Sequence, residues 1–260
     1  MMKFADVNGE RREAQPGLQG MCPWCSRPMV AKCGEVKIWH WAHQGRRVCD
    51  SWWENETEWH RAWKEEFPVN WQEVIHQAEN GEKHIADVKT DQGWVIEFQH
   101  SRIKPEERQS RDDFYPKLVW IVDGTKRKRD LGQFFDAWNN GIPVDQKFQG
   151  RRIYSSECAL LGEWGNSKAS IFFDFGDGQQ LWYLFAKGSS GRVYVMPFSR
   201  TEFIEAHRNA DTMNTDEFNK LVDKLKEFVV NYESLLKAQA SRQATFQPPL
   251  SFRRKPRQRL

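Results

Sequence analysis

A chain of 260 residues is long enough for one large domain or two smaller ones, each with its own hydrophobic core. Its 13 Trp and 17 Phe residues exclude an intrinsically disordered protein, because disordered chains are depleted in aromatic residues. The net charge of +3 is nearly balanced, but positive charge is concentrated in two short runs, at residues 126–129 and 252–260. Such runs suit a phosphate backbone, and they are also typical of a solvated loop and a solubilising tail.

The sequence gives no sign of a membrane segment. No stretch approaches the roughly 18 apolar residues of a membrane span, and residues 1–17 lack the apolar core of a signal peptide. We therefore expect a cytoplasmic protein. The chain has five Cys residues, an odd number, and four of them lie from Cys22 to Cys49. An odd number and this close spacing favour metal binding over a disulfide framework.

Residues 1–50 show little helical periodicity but contain two short ligand motifs. A CxxC motif is followed, after 14 intervening residues, by an HxxH motif. Thiolate and imidazole are ligands of tetrahedral zinc, and a CxxC turn lets two sulfur atoms reach one ion. We therefore expect a zinc-binding module with a structural site. Cys33 and Cys49 stay open as alternatives, because either could replace one His. The predicted ligands are Cys22, Cys25, His40 and His43.

Residues 51–148 alternate helical and extended patterns. An amphipathic helix is followed by a β-hairpin at 84–101, a polar helix that begins at Pro105, and the consecutive apolar run KLVWIV, which is typical of a buried strand. This order predicts a mixed sheet flanked by helices. Arg108 and Arg111 of the polar helix could contact DNA or face water.

From residue 149 onward the sequence changes in character. Three aromatic strands separated by GDGQ and KGSSG predict an antiparallel meander. A long amphipathic helix follows, in which Phe218, Leu221 and Leu225 belong to an apolar stripe that we expect to cover the meander. We assign residues 149–243 to this C-terminal region. Residues 244–260, rich in Pro, Gln and Arg, predict a disordered basic tail.

The hairpin HIADVKTDQGWVIEFQHS carries its acidic residues in an unusual arrangement. If residues 91–93 are a three-residue loop, every cross-strand pair has residue numbers that sum to 184, so Asp87 lies opposite Glu97 with Gln99 on the same face. Opposed carboxylates repel each other by up to about 1 kcal/mol when exposed. A divalent cation would relieve that repulsion, and Mg²⁺ is commonly bound by one or two carboxylates, waters and phosphate oxygens. The alternative is a solvated face of the hairpin.

Five motifs follow one another in a fixed order. They are Cys-Pro-Trp-Cys at 22–25, His-Trp-Ala-His at 40–43, Glu-Thr-Glu-Trp-His-Arg-Ala-Trp-Lys at 56–64, Ile-Ala-Asp-Val at 85–88 and Ile-Glu-Phe-Gln-His-Ser at 96–101. Over about residues 20 to 125 they resemble the motifs of the CoiA-like competence protein family. The resemblance implies an α+β or α/β fold of the PD-(D/E)xK nuclease superfamily, with a restriction-endonuclease-like mixed sheet in residues 51–148.

By this resemblance, Asp87 and Glu97 bind Mg²⁺ or Mn²⁺, and Gln99 occupies the place of the superfamily's catalytic Lys. Gln forms hydrogen bonds but carries no charge, so the positive charge has to come from elsewhere. Lys64 is a candidate for that charge.

Further site residues are expected on the first helix. Glu56, His60 and Lys64 recur at i, i+4 and i+8 and line one side of it. Glu56 is a further candidate ligand, and His60 a candidate for phosphate binding or proton relay. Glu73 is a weaker candidate on the first strand of the sheet. The alternative is a ladder of charges on a solvated helix.

These observations predict a metal-dependent nuclease that hydrolyses DNA phosphodiester bonds, with a structural zinc module. The resemblance implies a setting in competence, recombination, defence, or mobile-element or phage biology. The candidate partners are DNA, a recombination, phage or defence protein, and a second copy of the chain. The alternative function is a non-catalytic nucleic-acid-binding adaptor, and a third reading is a zinc-bearing protein-interaction module.

Overall fold

The computed structural model describes residues 2–45, 49, 52, 55–145, 149–208 and 215–245. The tail predicted at 244–260 lies outside the described residues from 246 onward. The architecture is mixed α/β. It comprises an N-terminal antiparallel sheet, a large mixed sheet with helices, and a long C-terminal helix.

The N-terminal module is a five-stranded antiparallel sheet with the strand order β2-β1-β3-β4-β5. Its first hairpin turns at Asn8 and Gly9, whose φ angles of 57° and 84° are those of a tight two-residue turn. The core is small, with Met29 and Trp41 as its largest fully buried side chains. A module with so little core gains stability from a bound metal. Its strands are β1 (Phe4–Val7), β2 (Glu10–Glu13), β3 (Gln19–Met21), β4 (Pro28–Lys32) and β5 (His40–His43).

The large sheet has nine strands in the order β10-β11-β14-β13-β12-β9-β8-β7-β6. Strand β9 is parallel to both its neighbours, β8 and β12, and the other pairs are antiparallel. The strands are β6 (Gln72–Gln77), β7 (Lys83–Lys89), β8 (Val95–Gln99), β9 (Leu118–Asp123), β10 (Ile142–Asp145), β11 (Gly150–Tyr154), β12 (Ser170–Asp174), β13 (Gln180–Lys187) and β14 (Arg192–Ser199).

Helices cover both faces of this sheet, so its central strands are buried on both sides. One face packs against the first and the last two helices, through side chains such as Trp63, Phe203 and Leu225. The other face packs against the three middle helices, through side chains such as Phe134 and Leu161. The helices are α1 (Glu58–Glu65), α2 (Pro105–Phe114), α3 (Asp130–Asn140), α4 (Ala159–Trp164), α5 (Arg200–Arg208) and α6 (Thr215–Thr245).

The three aromatic strands form the antiparallel meander that the sequence predicted, and α6 packs against it. This meander continues the sheet of the hairpin, because β12 pairs in parallel with β9. The boundary predicted at residue 148 falls between two paired strands of that sheet, β10 and β11. None of the helices in the described part of the chain is long and apolar enough to cross a membrane.

Candidate metal centre and carboxylate site

Four side chains of the N-terminal module converge on one point. The Sγ atoms of Cys22, Cys25 and Cys49 and a ring nitrogen of His43 all lie within 4.8 Å of one another. Cys49 Sγ is 3.1 Å from His43 Nε2 and 3.2 Å from Cys25 Sγ. A hydrogen bond of 2.9 Å from Ser26 N to Cys22 O closes the turn that brings the two CxxC sulfurs together.

The geometry of this cluster fits zinc. A Zn–S bond of about 2.3 Å gives a tetrahedron with edges of roughly 3.8 Å, and the closest ligand atoms are 3.1 to 3.5 Å apart. Three thiolates and one imidazole leave no open position for water, which is typical of a structural site. Among the residues that the structure describes, no other group of three or more Cys, His, Asp or Glu side chains has its ligand atoms this close together. The Cys₃His cluster is consistent with structural zinc.

Cys49, not His40, is the fourth member of the cluster, which corrects the predicted ligand set at one position. His40 and His43 are three residues apart on β5, and residues an odd number apart on a strand point to opposite faces. The His40 ring is buried away from the cluster, with Nδ1 2.8 Å from the carbonyl oxygen of Ile38. Cys33 is a free Cys outside the cluster.

The hairpin of β7 and β8 has the register that the sequence predicted. Val88 pairs with Ile96 and Lys89 with Val95, so the residue numbers in each pair sum to 184. The loop closes with a hydrogen bond of 2.9 Å from Gly93 N to Thr90 O, and Gly93 has a φ of 77°, which favours Gly. The paired residues end at Val88 and Ile96, and Asp87 and Glu97 are each the next residue beyond that pair.

Beyond Val88 the Asp87 side chain takes part in the strand pairing. Asp87 Oδ2 accepts a hydrogen bond of 3.0 Å from Phe98 N, and Oδ1 lies 3.7 Å from Lys64 Nζ. The Asp87 side chain is 26% exposed, whereas the side chain of Glu97 is 5% exposed. Asp87 is therefore the carboxylate through which solvent or a ligand reaches the site.

Lys64 is the centre of a buried network. Its Nζ lies 2.9 Å from Glu56 Oε1 and 2.9 Å from Glu73 Oε1. The sequence predicted Glu56 on the first helix, but Glu56 precedes α1 and its N-cap Thr57. Its carboxylate still reaches Lys64. Arg61 binds the other oxygen of Glu56 at 2.6 Å.

Electrostatics in this network favour the charged forms. Burial raises the pKa of Glu56, but attraction by Lys64 and Arg61 outweighs it and lowers the pKa to about 2. Burial lowers the pKa of Lys64, but attraction by Glu73, Glu56 and Asp87 outweighs it, so the pKa is raised above its ordinary value. The ammonium that we expected to supply positive charge is thus present beside Asp87.

Arg111 provides a second buried cation. Its Nη1 lies 3.0 Å from Glu97 Oε2, and its guanidinium lies 5.6 Å from the centre of the Trp120 ring, which is the neighbour of Glu97 on β9. Burial lowers the pKa of Arg111, but Glu97 and Glu107 outweigh it and raise the pKa, with a further contribution from Asp87. Arg111 is therefore ion-paired with Glu97 of the hairpin and with Glu107 of its own helix.

Arg108 and Arg111 are both buried, so the expectation that they face water is wrong, and the expectation that they contact DNA stays a prediction. The sequence contained an indication that this side of α2 is buried. Residues 108, 111 and 115 follow helical spacing, and Tyr115 is an aromatic residue suited to a core. Tyr115 is indeed buried.

His60 and Gln99, the remaining candidates, have local hydrogen-bonding roles. His60 N donates to Thr57 Oγ1 at 3.3 Å and Thr57 N donates to His60 Nδ1 at 3.3 Å, a capping box at the start of α1. Gln99 Nε2 donates to Ser101 O at 3.0 Å and the side chain is buried. His60 also lies near His100, with 5.8 Å between ring centres. Neither residue takes part in the ion pairs of Lys64.

Glu73 joins this site to the N-terminal module. Its carboxylate accepts hydrogen bonds from Lys3 N at 2.8 Å and from Phe4 N at 3.2 Å, while it also binds Lys64. The Glu73 backbone has a φ of 46°, an uncommon conformation for a residue other than Gly. From the sequence, Glu73 was a weaker candidate, because its contact with Lys3 joins residues some 70 positions apart and no local pattern indicates it.

The described part of the chain thus defines a mixed α/β protein with an N-terminal Cys₃His module of zinc-binding type. Residues 13–51 match the family model described as "Competence protein CoiA, N-terminal domain". The matched segment contains Cys22, Cys25, His43 and Cys49, and it ends before the carboxylate site. Comparison with curated proteins and with solved structures gives no significant match.

Proposed function

We propose that this protein is a nuclease that hydrolyses phosphodiester bonds in DNA. Its core, from α1 to β9, would be the restriction-endonuclease-like unit of a PD-(D/E)xK enzyme. The observation that carries this proposal is that Asp87 and Glu97 lie on the two strands of one hairpin, each next to the pair Val88–Ile96, with Lys64 3.7 Å from Asp87. The match of residues 13–51 to a competence protein domain supports a setting in DNA uptake and recombination.

Asp87 and Glu97 would bind Mg²⁺ or Mn²⁺ together with waters and a substrate phosphate, since two carboxylates suffice for such a site. The bound metal would activate a water and stabilise charge on the phosphodiester. Lys64 would supply the positive charge that Gln99 lacks, and Gln99 would orient the water or the phosphate by hydrogen bonding. Glu73 and Glu56 would keep Lys64 charged and fixed in place.

The experiment is a cleavage assay on the full chain with single-stranded and duplex DNA, with and without added Mg²⁺ or Mn²⁺. We expect metal-dependent cleavage that falls at least about 100-fold in Asp87→Asn and Glu97→Gln, the scale set by removing one electrostatic group from an active site. Glu79→Gln is the matched control, because Glu79 is exposed in the loop before β7. Equal cleavage by the wild type and both site variants would rule out this site.

A non-catalytic nucleic-acid-binding adaptor is the second candidate. The observation that favours it is that buried cations already neutralise the carboxylates, Lys64 for Glu56 and Glu73, and Arg111 for Glu97. In that case the chain would bind DNA in a salt-dependent manner and cleave none of the substrates. Binding without cleavage in the same assay selects this function.

A further inference from the structure

A cleft of about 280 Å³ opens directly beyond Gln99. It lies where β8 and β9 end, and because these strands are parallel, both present their carboxyl ends to it. The crevice outside the carboxyl ends of parallel strands is a common ligand site in α/β sheets. Its volume is close to the lower limit of roughly 300 Å³ for ligand pockets.

The carboxylates that line this cleft are already occupied. Asp123 accepts hydrogen bonds from Thr125 N at 2.7 Å and lies 2.6 Å from His100 Nδ1. Arg127 binds both of the others, Asp130 at 2.6 Å and Glu163 at 2.7 Å. With four Lys and Arg side chains against these three carboxylates, the lining of the cleft has one more positive than negative charge.

Three further cations line the cleft, and one of them, Arg108, already donates a hydrogen bond through Nη1 to Glu163 O. Arg102 and Lys126 are exposed at the rim, and no carboxylate of the described residues lies within ion-pair distance of either. Arg108 is 92% buried, and its Nε has no hydrogen-bond partner in the described chain. A buried donor without a partner is costly, and an anionic ligand in the cleft would satisfy it.

Part of the lining of the cleft is apolar. Ile103, Leu160 and Trp164 form this part, and the Arg108 guanidinium lies 5.5 Å from the centre of the Trp164 ring. An apolar wall beside exposed cations suits a flat base attached to a phosphate. A cleft of this size admits one base, and a base held in a duplex cannot enter it.

We propose that this cleft binds one unpaired nucleotide of a nucleic-acid strand whose backbone passes the Asp87 and Glu97 site. The substrate of that site is then single-stranded DNA or a duplex with a single-stranded end. The part of this inference that concerns the substrate rests on the proposed function. Gln99 connects the two sites, because it lines the cleft and is the last residue of β8. Binding in the cleft itself requires no cleavage.

The test measures binding of the full chain to a fluorescein-labelled oligothymidylate by fluorescence anisotropy, with no added divalent cation. We expect tighter binding to the single strand than to a blunt duplex. The double variant Arg102→Glu and Lys126→Glu is expected to bind the single strand at least about tenfold more weakly, because two phosphate contacts become repulsive.

The matched control is the double variant Lys104→Glu and Lys128→Glu. It makes the same change in charge at two exposed positions that do not line the cleft. We expect a loss of less than about threefold, from long-range electrostatics alone. Thymidine monophosphate should compete with the oligonucleotide more effectively than inorganic phosphate does.

The outcomes separate the two proposals. Equal losses in both double variants, or equal affinity for single strand and blunt duplex, would overturn the cleft. Specific loss in the cleft variant without cleavage of any substrate would support the cleft and overturn the nuclease. If cleavage depends on Asp87, and the cleft variant cleaves and binds DNA as well as the wild type does, the nuclease proposal is supported and the cleft proposal is overturned.

Discussion

At the scale of single residues, Lys64 decides the charge of the candidate site. A buried ammonium and buried carboxylates each lose hydration, and their attraction offsets that cost only while both partners are present. Lys64 lies 2.9 Å from both Glu56 and Glu73. Removing it leaves acidic groups that no water can solvate fully.

We expect Lys64→Met to lower the free energy of unfolding by about 3 to 5 kcal/mol, the cost of breaking a buried ion pair. Lys168→Met is the control, because the side chains of Lys168 and Asp113 are 67% and 52% exposed, and such surface pairs contribute little to stability. Urea denaturation followed by Trp fluorescence measures both. A loss in Lys64→Met no larger than in the control would contradict the buried network.

The pH dependence of stability follows from Glu56. Its pKa is about 2 in the folded protein and 4.5 ordinarily. The folded pKa is the lower one, so the stabilisation is present above pH 4.5 and is lost as the pH falls toward about 2. We expect this acid loss to be smaller in Lys64→Met, because Lys64 is the main source of the lowered pKa. Denaturation curves across this pH range check it, and equal losses in both proteins would disprove the assignment.

The zinc ligands can be identified by metal analysis of single variants. Cys49→Ser should lower the zinc content from about one ion per chain toward zero, because a structural site uses four ligands. Cys33→Ser is the matched control and should retain zinc, as should His40→Ala. Zinc loss in His40→Ala together with retention in Cys49→Ser would restore the ligand set that the sequence predicted.

At the scale of secondary-structure elements, α6 closes one face of the sheet. Phe218, Val222, Leu225 and Val229 are buried against strands of the meander, at the spacing of one helical face. Glu233 continues the contact, with Oε1 2.6 Å from Tyr194 Oη. The helix is therefore a part of the core, and its apolar stripe needs no external partner.

We expect Leu225→Ala to lower the free energy of unfolding by about 2 to 5 kcal/mol, the cost of a cavity in a close-packed core. Val230→Ala is the control on the same helix, because Val230 is 65% exposed, and we expect a change within about 0.5 kcal/mol. Thermal or urea unfolding measures both changes. A similar small effect at the two positions would show that α6 is not packed on the sheet in solution.

At the scale of the whole molecule, the zinc module and the large sheet share an interface. Glu73 binds the backbone of β1, and Arg11 Nη1 of the module donates to Val69 O at 2.7 Å. Trp24 lies beside His84 of β7, with 6.3 Å between ring centres. Because the module has a small core of its own, its order and that of the site are coupled.

We expect removal of zinc by a chelator to lower the melting temperature of the whole chain in one transition. A structural metal adds its binding free energy to folding, and the module is joined to the sheet through Glu73. Differential scanning calorimetry of the zinc-loaded and zinc-free chain measures this, with Cys33→Ser as a control that keeps its metal. Two separate transitions, the second unchanged by zinc, would show that the module and the sheet fold independently.

The elements that could be predicted from the sequence are those with local patterns. Turn residues and alternating hydrophobicity predicted the hairpin with its register, the meander and the apolar stripe of α6, because neighbouring residues along the chain fix those periodicities. The CxxC motif predicted two members of the Cys₃His cluster for the same reason. Such features need only a few consecutive residues to be recognised.

Contacts between side chains that are distant in the sequence could not be predicted in this way, because they depend on tertiary packing. The alternation of β5 turned His40 away and left the fourth position to Cys49, while packing of α2 on the sheet brought Arg111 to Glu97. The contact of Glu73 with β1 joins residues some 70 positions apart. Long-range contacts depend on how layers pack, and no periodicity along the chain records that packing.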